Sequence, residues 1–213
     1  MKRDVGAALW AHDLALLPPD QLLCGIDEVG RGPLAGNVVA ACVLFARDSE
    51  PLPGSLSGLN DSKKLKPEKR ELLAPLIRER AVAWAIGEAT PREIDDINIL
   101  QATFLAMRRA LEALPMKPAL PALLLVDGNQ KIPGVDLPQE TLVGGDALSA
   151  CIAAASVLAK VHRDAQMDLA ERAHPGYGFA SHKGYGTAEH REAIVKMGLT
   201  PLHRRSFCKG MVA

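Results

Sequence analysis

Cys24-Gly25-Ile26-Asp27-Glu28-Val29-Gly30-Arg31-Gly32-Pro33-Leu34-Ala35-Gly36 is the stretch around which the rest of the chain is read. An apolar, strand-like run enters it over 22–26 and delivers two adjacent carboxylates. Three glycines, an arginine and a proline follow within seven residues. A strand that ends in acid and turns through glycine can bring a cation and a phosphate together. Adjacent strand residues point to opposite faces. Asp27 and Glu28 therefore share one site only if the strand bends or bulges, which Gly30 permits. Otherwise Glu28 contributes through its backbone carbonyl or a bridging water.

Outward from this stretch, the spacing predicts a helix over 7–17 before it and strands at 22–29, 38–45 and 81–89. Pro67 suits the first turn of a helix over 67–80, which Pro75 should kink or shorten. Thr90-Pro91-Arg92-Glu93 has the form of a capping box opening a helix to about residue 114, with Ile94, Ile97, Leu100 (or Ile99), Phe104 and Leu111 on its packed face. Leu123-Leu124-Leu125-Val126 reads as a strand buried on both faces. An alanine-rich helix is expected over 147–173, with a face allowing close approach, and a shorter one over 187–197. Three sequential strands favour an antiparallel meander, and strand–helix–strand favours a parallel crossover, so the sheet should be mixed, with helices on its faces.

The 213 residues carry 25 basic and 25 acidic side chains, and 48% are apolar. A formal charge of zero argues against nonspecific polyanion binding. From His174 onward, six bases stand against two acids, so this end could face a polyanion or form an ordinary solvated face. Cys24, Cys42, Cys151 and Cys208 are widely spaced, without a zinc or disulfide pattern; three sit in apolar runs and read as buried free thiols, and a reducing compartment is expected. No run approaches a membrane span or a convincing signal peptide, so a cytoplasmic location is expected.

Asp27, Asp127 and Asp146 each terminate an apolar run or precede a helix. Each has an ordinary alternative: an arginine partner for Asp27, a turn at Asp127-Gly128, an N-cap at Asp146. Together they place charge where burial is costly, and a divalent cation relieves that cost. An all-carboxylate set suits Mg²⁺ or Mn²⁺, and such sites point to phosphoryl chemistry by two ions.

The chain resembles type 2 ribonuclease H, the bacterial ribonuclease HII family in particular. The resemblance rests on residues 25–36, on Asp61-Ser62-Lys63-Lys64-Leu65, Val126-Asp127-Gly128, Gly145-Asp146 and Ala153-Ala154-Ala155-Ser156, and on His182-Lys183-Gly184-Tyr185-Gly186-Thr187. Such blocks run in family order from about residue 22 to residue 207. The resemblance implies an α/β ribonuclease-H-like fold: a mixed five-stranded sheet flanked by helices, one catalytic domain over 1–213, and a helical C-terminal portion from about 174. It implies endonucleolytic cleavage of RNA in RNA–DNA hybrids and nicking 5′ of single ribonucleotides in DNA, leaving 3′-hydroxyl and 5′-phosphate ends. It implies catalytic, metal-holding roles for Asp27, Glu28, Asp127 and Asp146. Gly30, Arg31 and Gly32 match the family's ribose reader, Tyr185 its sugar-stacking tyrosine, and Ser62, Lys63, Ser156 and Lys160 its phosphate contacts. Arg204 and Arg205 are expected in structural or backbone-contact roles. Lys66, Pro75 and Lys209 depart from the pattern, away from the chemistry.

Other readings are weaker. Gly30-x-Gly32-x-x-Ala35 fits a dinucleotide fingerprint, but that fingerprint must open a helix, and a β run follows. No dinucleotide cofactor is expected. A non-catalytic nucleic-acid module would have to tolerate four carboxylates beside phosphate. A resolvase or transposase domain would share the acids but lack the glycine–arginine–glycine and tyrosine pair. A monomer is the expected state.

Overall fold

The computed structural model describes residues 5–16, 18, 21–45, 56, 58–115 and 121–211. Leu17, Pro19 and most of the loop over 51–58 lie outside the described residues. The elements are α1 (Val5–Leu16), β1 (Leu23–Val29), β2 (Val38–Phe45), α2 (Pro67–Arg80), β3 (Ala83–Ala89), α3 (Pro91–Glu112), β4 (Leu123–Asp127), β5 (Gln139–Leu142), a 3₁₀ turn (Gly145–Ala147), α4 (Ala150–Ala173), α5 (Phe179–His182) and α6 (Ala188–Met197).

The sheet order is β3-β2-β1-β4-β5. β1–β2 and β2–β3 are antiparallel, while β1–β4 and β4–β5 are parallel. The expected mixed sheet is therefore present. β5 was not located from the sequence, because its four residues are partly or fully exposed and carry no apolar run.

Strand alternation divides the core between the two faces. Leu23, Val39, Ala41, Val43, Leu123 and Leu125 pack toward α1, α2 and α4. Cys24, Ile26, Ala40, Cys42, Leu124 and Val126 pack toward α3. The alanine face of α4 does allow close approach: a Cβ on Gly25 would stand 2.3 Å from the Cys151 carbonyl carbon and the Ile152 nitrogen. A third cluster, including Leu34, Met167, Tyr177, Phe179 and Ile194, joins the C-terminal helices to the loop after β1.

Three local expectations change. Pro75 stays inside α2 without ending it. It and Glu71, whose carbonyl it leaves without a helical donor, are both exposed, so water can satisfy that group. The Thr90 capping box forms, but α3 is broken at Asn98 (φ 68°, ψ 166°). The Asn98 side chain accepts from the Leu100 and Gln101 N–H groups at 3.0 and 3.2 Å and restarts the helix. Ile97 consequently leaves the packed face and is exposed. Finally, α4 begins at Ala150, capped by Ser149, whose hydroxyl accepts from the Ile152 N–H, so Asp146 is not its N-cap.

Candidate active site

β1 and β4 bring the acids to one end of the sheet. The parallel register runs to Ile26 opposite Val126, and Asp27 and Asp127 are the next residues on each strand. Asp127 accepts from the Gly145 N–H at 2.7 Å. This bond ties β4 to the 3₁₀ turn that carries Asp146. Asp27 and Asp146 are buried, and Glu28 and Asp127 half-buried.

β1 pairs with β2 in unbroken register through Val29, with no bulge. Alternation therefore turns Asp27 toward α4 and Glu28 toward α3. Asp27 accepts from the Glu28 N–H at 2.7 Å and faces the Ser156 hydroxyl of α4. Glu28 lines a pocket of about 170 Å³ with Arg31, Leu100, Thr103, Phe104 and Asp127. Its carboxylate lies 3.6 Å from the Arg31 guanidinium. The arginine partner considered for Asp27 thus belongs to Glu28.

Burial, then the charges of Glu28 and Asp127, push the Asp27 carboxyl well above the usual range. Burial raises Glu28 too, against the opposing pull of Arg31. Asp146 is pushed up to about 6 by burial and by a hydrogen bond shared with Asp61. Among the described residues, no group of three or more His, Cys, Asp or Glu side chains could, as placed, hold a metal ion together. The opposed directions of Asp27 and Glu28 account for part of this. In donor chemistry the site does fit hard cations: every candidate ligand is a carboxylate, and burial makes the ionised form costly for Asp27, Glu28 and Asp146, a cost that positive charge relieves.

Lys63 supplies some of that charge. Burial lowers its affinity for a proton, but Asp146, Asp27, Asp61 and Asp127 together raise it. Asp61, Lys63 and Asp146 thus form one electrostatic unit. In the sequence, the only signal for Asp61 is its place directly before Ser62-Lys63. Ser62 and Ser156 are both buried and share a hydrogen bond of 2.7 Å. Lys160 pairs with Asp164 at 2.6 Å, and Asp164 lies 3.6 Å from Arg70. Arg70 donates to the Ser62 and Leu65 carbonyls at 2.9 and 2.6 Å and fixes the loop that presents Lys63.

The loop over 30–37 is held from inside by two fully buried arginines. Arg204 donates to the carbonyls of Gly30 (2.5 Å), Arg31 (2.9 Å), Pro33 (2.8 Å) and Gly36 (2.8 and 3.0 Å). Arg163 donates to Ala35 and Asn37 in the loop and to the Lys183 carbonyl, at 3.0 to 3.1 Å. Gly30 has φ +94°, and a Cβ there would stand 2.3 Å from Arg163 Nε. A Cβ on Gly32 would stand 3.7 Å from Tyr185 Cε1. Tyr185 is 44% exposed and so is not a core tyrosine.

Of the C-terminal bases read as a solvated or polyanion-facing set, Arg204 points inward, Lys183 pairs with Asp168, and Arg191 donates to the Gly186 carbonyl. The loop after Gly32 leads into β2 rather than a helix, so the dinucleotide fingerprint lacks its required context. All four cysteines are buried thiols outside any disulfide. Among the described residues, no helix is long and apolar enough to cross a membrane.

The family model for ribonuclease HII matches residues 24–210. Ribonuclease HII of Chlorobium luteolum is 56% identical over 185 residues, covering 87% of this chain and 88% of the relative. The ribonuclease H2 structure from Pyrococcus horikoshii superposes with a TM-score of 0.71 at 25% identity, covering 89% of this chain and 96% of that one. The Bst ribonuclease HIII structure, a complex with Mn²⁺, gives 0.72 at 23% identity, covering 93% and 69%, a likeness of fold. The family model spans the strands that carry the acids, the loop that Arg204 clamps and the segment that ends in Tyr185: this chain belongs to the ribonuclease HII family and is a ribonuclease-H-type endonuclease.

Proposed function

We propose that this endonuclease acts on RNA–DNA hybrids and on duplex DNA containing single ribonucleotides, cutting on the 5′ side of the ribonucleotide. The observation that supports this most is the approach of Gly32 to Tyr185 on the loop that leaves β1 directly after Asp27 and Glu28. A sugar lying across both would meet backbone groups that only glycine exposes, next to the acids. The 2′-hydroxyl is the group that distinguishes RNA there.

Asp27, Asp127 and Asp146 would hold Mg²⁺ or Mn²⁺, with two ions expected, and Glu28, turned to the other face of β1, would join them through its backbone carbonyl or a bridging water. When bound, such ions supply Lewis-acid activation of water and stabilise charge on the departing 3′-oxygen. Gly30 and Gly32 present main-chain groups to the ribose, with Arg31 beside Glu28. Tyr185 provides a face for the neighbouring sugar. Lys63 balances the acids until cations enter, and the Ser62–Ser156 pair offers a hydroxyl to phosphate. Lys160 reaches phosphate only by leaving Asp164. The whole chain acts as one catalytic domain, as a monomer in the cytoplasm.

The test is a hybrid duplex incubated with Mg²⁺, Mn²⁺ or chelator, with the product ends analysed. Cleavage only with metal, leaving 3′-hydroxyl and 5′-phosphate ends, supports the reading. Metal-independent cleavage, or 2′,3′-cyclic phosphate ends, contradicts it.

A further inference from the structure

Three imidazoles in the C-terminal portion, His182, His190 and His203, are buried and take no part in the chemistry above. The rings of His182 and His190 stack with centroids 4.4 Å apart, and His190 Nε2 lies 3.1 Å from His203 Nε2. Their hydrogen bonds fix which nitrogen carries each proton, because a carbonyl can only accept and a backbone N–H can only donate.

His203 Nδ1 faces the Thr200 N–H at 2.9 Å, so it carries a lone pair and Nε2 carries the proton. That proton points to His190 Nε2, which accepts. His190 Nδ1 is then the protonated atom, and it donates to the Tyr185 carbonyl at 2.9 Å. His182 donates from Nε2 to the Tyr177 carbonyl at 2.7 Å and accepts from the Gly184 N–H at Nδ1, 3.2 Å away. All three rings are satisfied as neutral imidazoles in one tautomer each.

The chain of bonds ends on Tyr185. Its carbonyl accepts from His190 and from the Thr187 N–H at 2.9 Å, and its N–H donates to the His182 carbonyl at 2.9 Å. The adjoining Gly184 carbonyl accepts from the Leu34 N–H at 2.8 Å, in the loop that follows Gly32. The main chain of Tyr185 is therefore fixed from the buried side, while its ring remains half-exposed against Gly32.

We infer that His190 is a positioning residue for Tyr185: its Nδ1 proton, oriented by His203, holds the tyrosine main chain so that the ring faces Gly32. The inference rests on the reading of Tyr185 as the face for the substrate sugar, and its structural half can be measured apart from that reading.

The chain has two tyrosines, Tyr177 and Tyr185, so 3-fluorotyrosine labelling gives two ¹⁹F signals, assigned by Tyr185→Phe. Two amide substitutions separate positioning from packing. His190→Asn keeps a donor at the Nδ1 position, whereas His190→Gln moves its amide to the Nε2 position, toward His203 and away from Tyr185. His190→Asn should leave the Tyr185 signal in place. It should also keep the ratio of single-ribonucleotide to long-hybrid cleavage within about twofold of the parent. His190→Gln should shift and narrow the Tyr185 signal and lower that ratio by about five- to tenfold, the loss of one hydrogen bond. With Tyr185→Ala already present, His190→Gln should lower the ratio no further. An unmoved Tyr185 signal in His190→Gln, or equal behaviour of the two amides, overturns the inference. Normal cutting of single ribonucleotides by Tyr185→Ala removes the sugar role of Tyr185, while a moved signal in His190→Gln still upholds the positioning.

Discussion

The Arg204 guanidinium donates to the Gly30 carbonyl at 2.5 Å, and Gly30 opens the loop directly after the two acids of β1. Burial, then the nearby charge of Arg163, pushes Arg204 down to about 9, so it stays charged at neutral pH and is neutralised largely by carbonyl dipoles. Lysine cannot reproduce this planar fork. Arg204→Lys should cost about 3 kcal/mol of stability in denaturant titration, and cleavage should fall with it. A variant within 1 kcal/mol of the parent would show that the loop holds without the clamp.

Gly30 and Gly32 should respond differently to alanine. Gly30→Ala meets both a positive φ and the Arg163 side chain, so it should destabilise by about 2–4 kcal/mol. Gly32→Ala makes only ordinary contact with Tyr185 and should fold with nearly unchanged stability. Its effect should appear as at least a tenfold loss of kcat/KM on single-ribonucleotide substrate, about 1.4 kcal/mol. Thermal melts and kinetics on both variants test the contrast.

Asp146→Asn should separate stability from activity. The carboxyl is pushed up to about 6 from 3.8, chiefly by burial, so its ionisation opposes folding. The sign follows: the metal-free protein loses stability from this group as pH rises from 3.8 through 6. In chelator at pH 8, Asp146→Asn should melt no lower than the parent. With Mg²⁺ or Mn²⁺ its cleavage should fall by more than about a thousandfold. A variant clearly less stable in chelator would mean that the carboxylate is structural.

His203 runs the other way. Burial, then His190, pushes it down to about 4 from 6.5, so the folded protein prefers it neutral. Its stabilising contribution is complete above 6.5 and is lost as pH falls toward 4. The stability difference between the parent and His203→Gln should shrink by on the order of 2 kcal/mol between pH 7 and 4.5. Taking the difference cancels Asp146, which gains stability over the same range. A difference that is flat with pH would place His203 outside any protonation linkage.

The elements that positioned the acids were legible because they are apolar and long enough to show their period. β1, β2, β3 and β4 all announce themselves in this way. β5 does not, since an edge strand of four half-polar residues carries no such signal. The break at Asn98 is hidden because apolar residues continue on both sides of it. The opposite facing of Asp27 and Glu28 depended on whether β1 bulges, which residue identity alone does not decide. Arg163 is the clearest limit: a charged residue reads as surface, and for it, as for the carbonyl partners of Arg204, only tertiary structure reveals oxygens arranged to receive a guanidinium.

One duplex tests the proposal that the loop joined to the acids reads sugar identity. Labelled double-stranded DNA carrying one ribonucleotide is incubated with the protein and Mg²⁺ or Mn²⁺, beside an all-DNA duplex of the same sequence and a chelator control. The expected result is a single nick on the 5′ side of the ribonucleotide, no nick in chelator, and an intact all-DNA duplex. Equal cutting of the all-DNA duplex, or cutting in chelator, would contradict it.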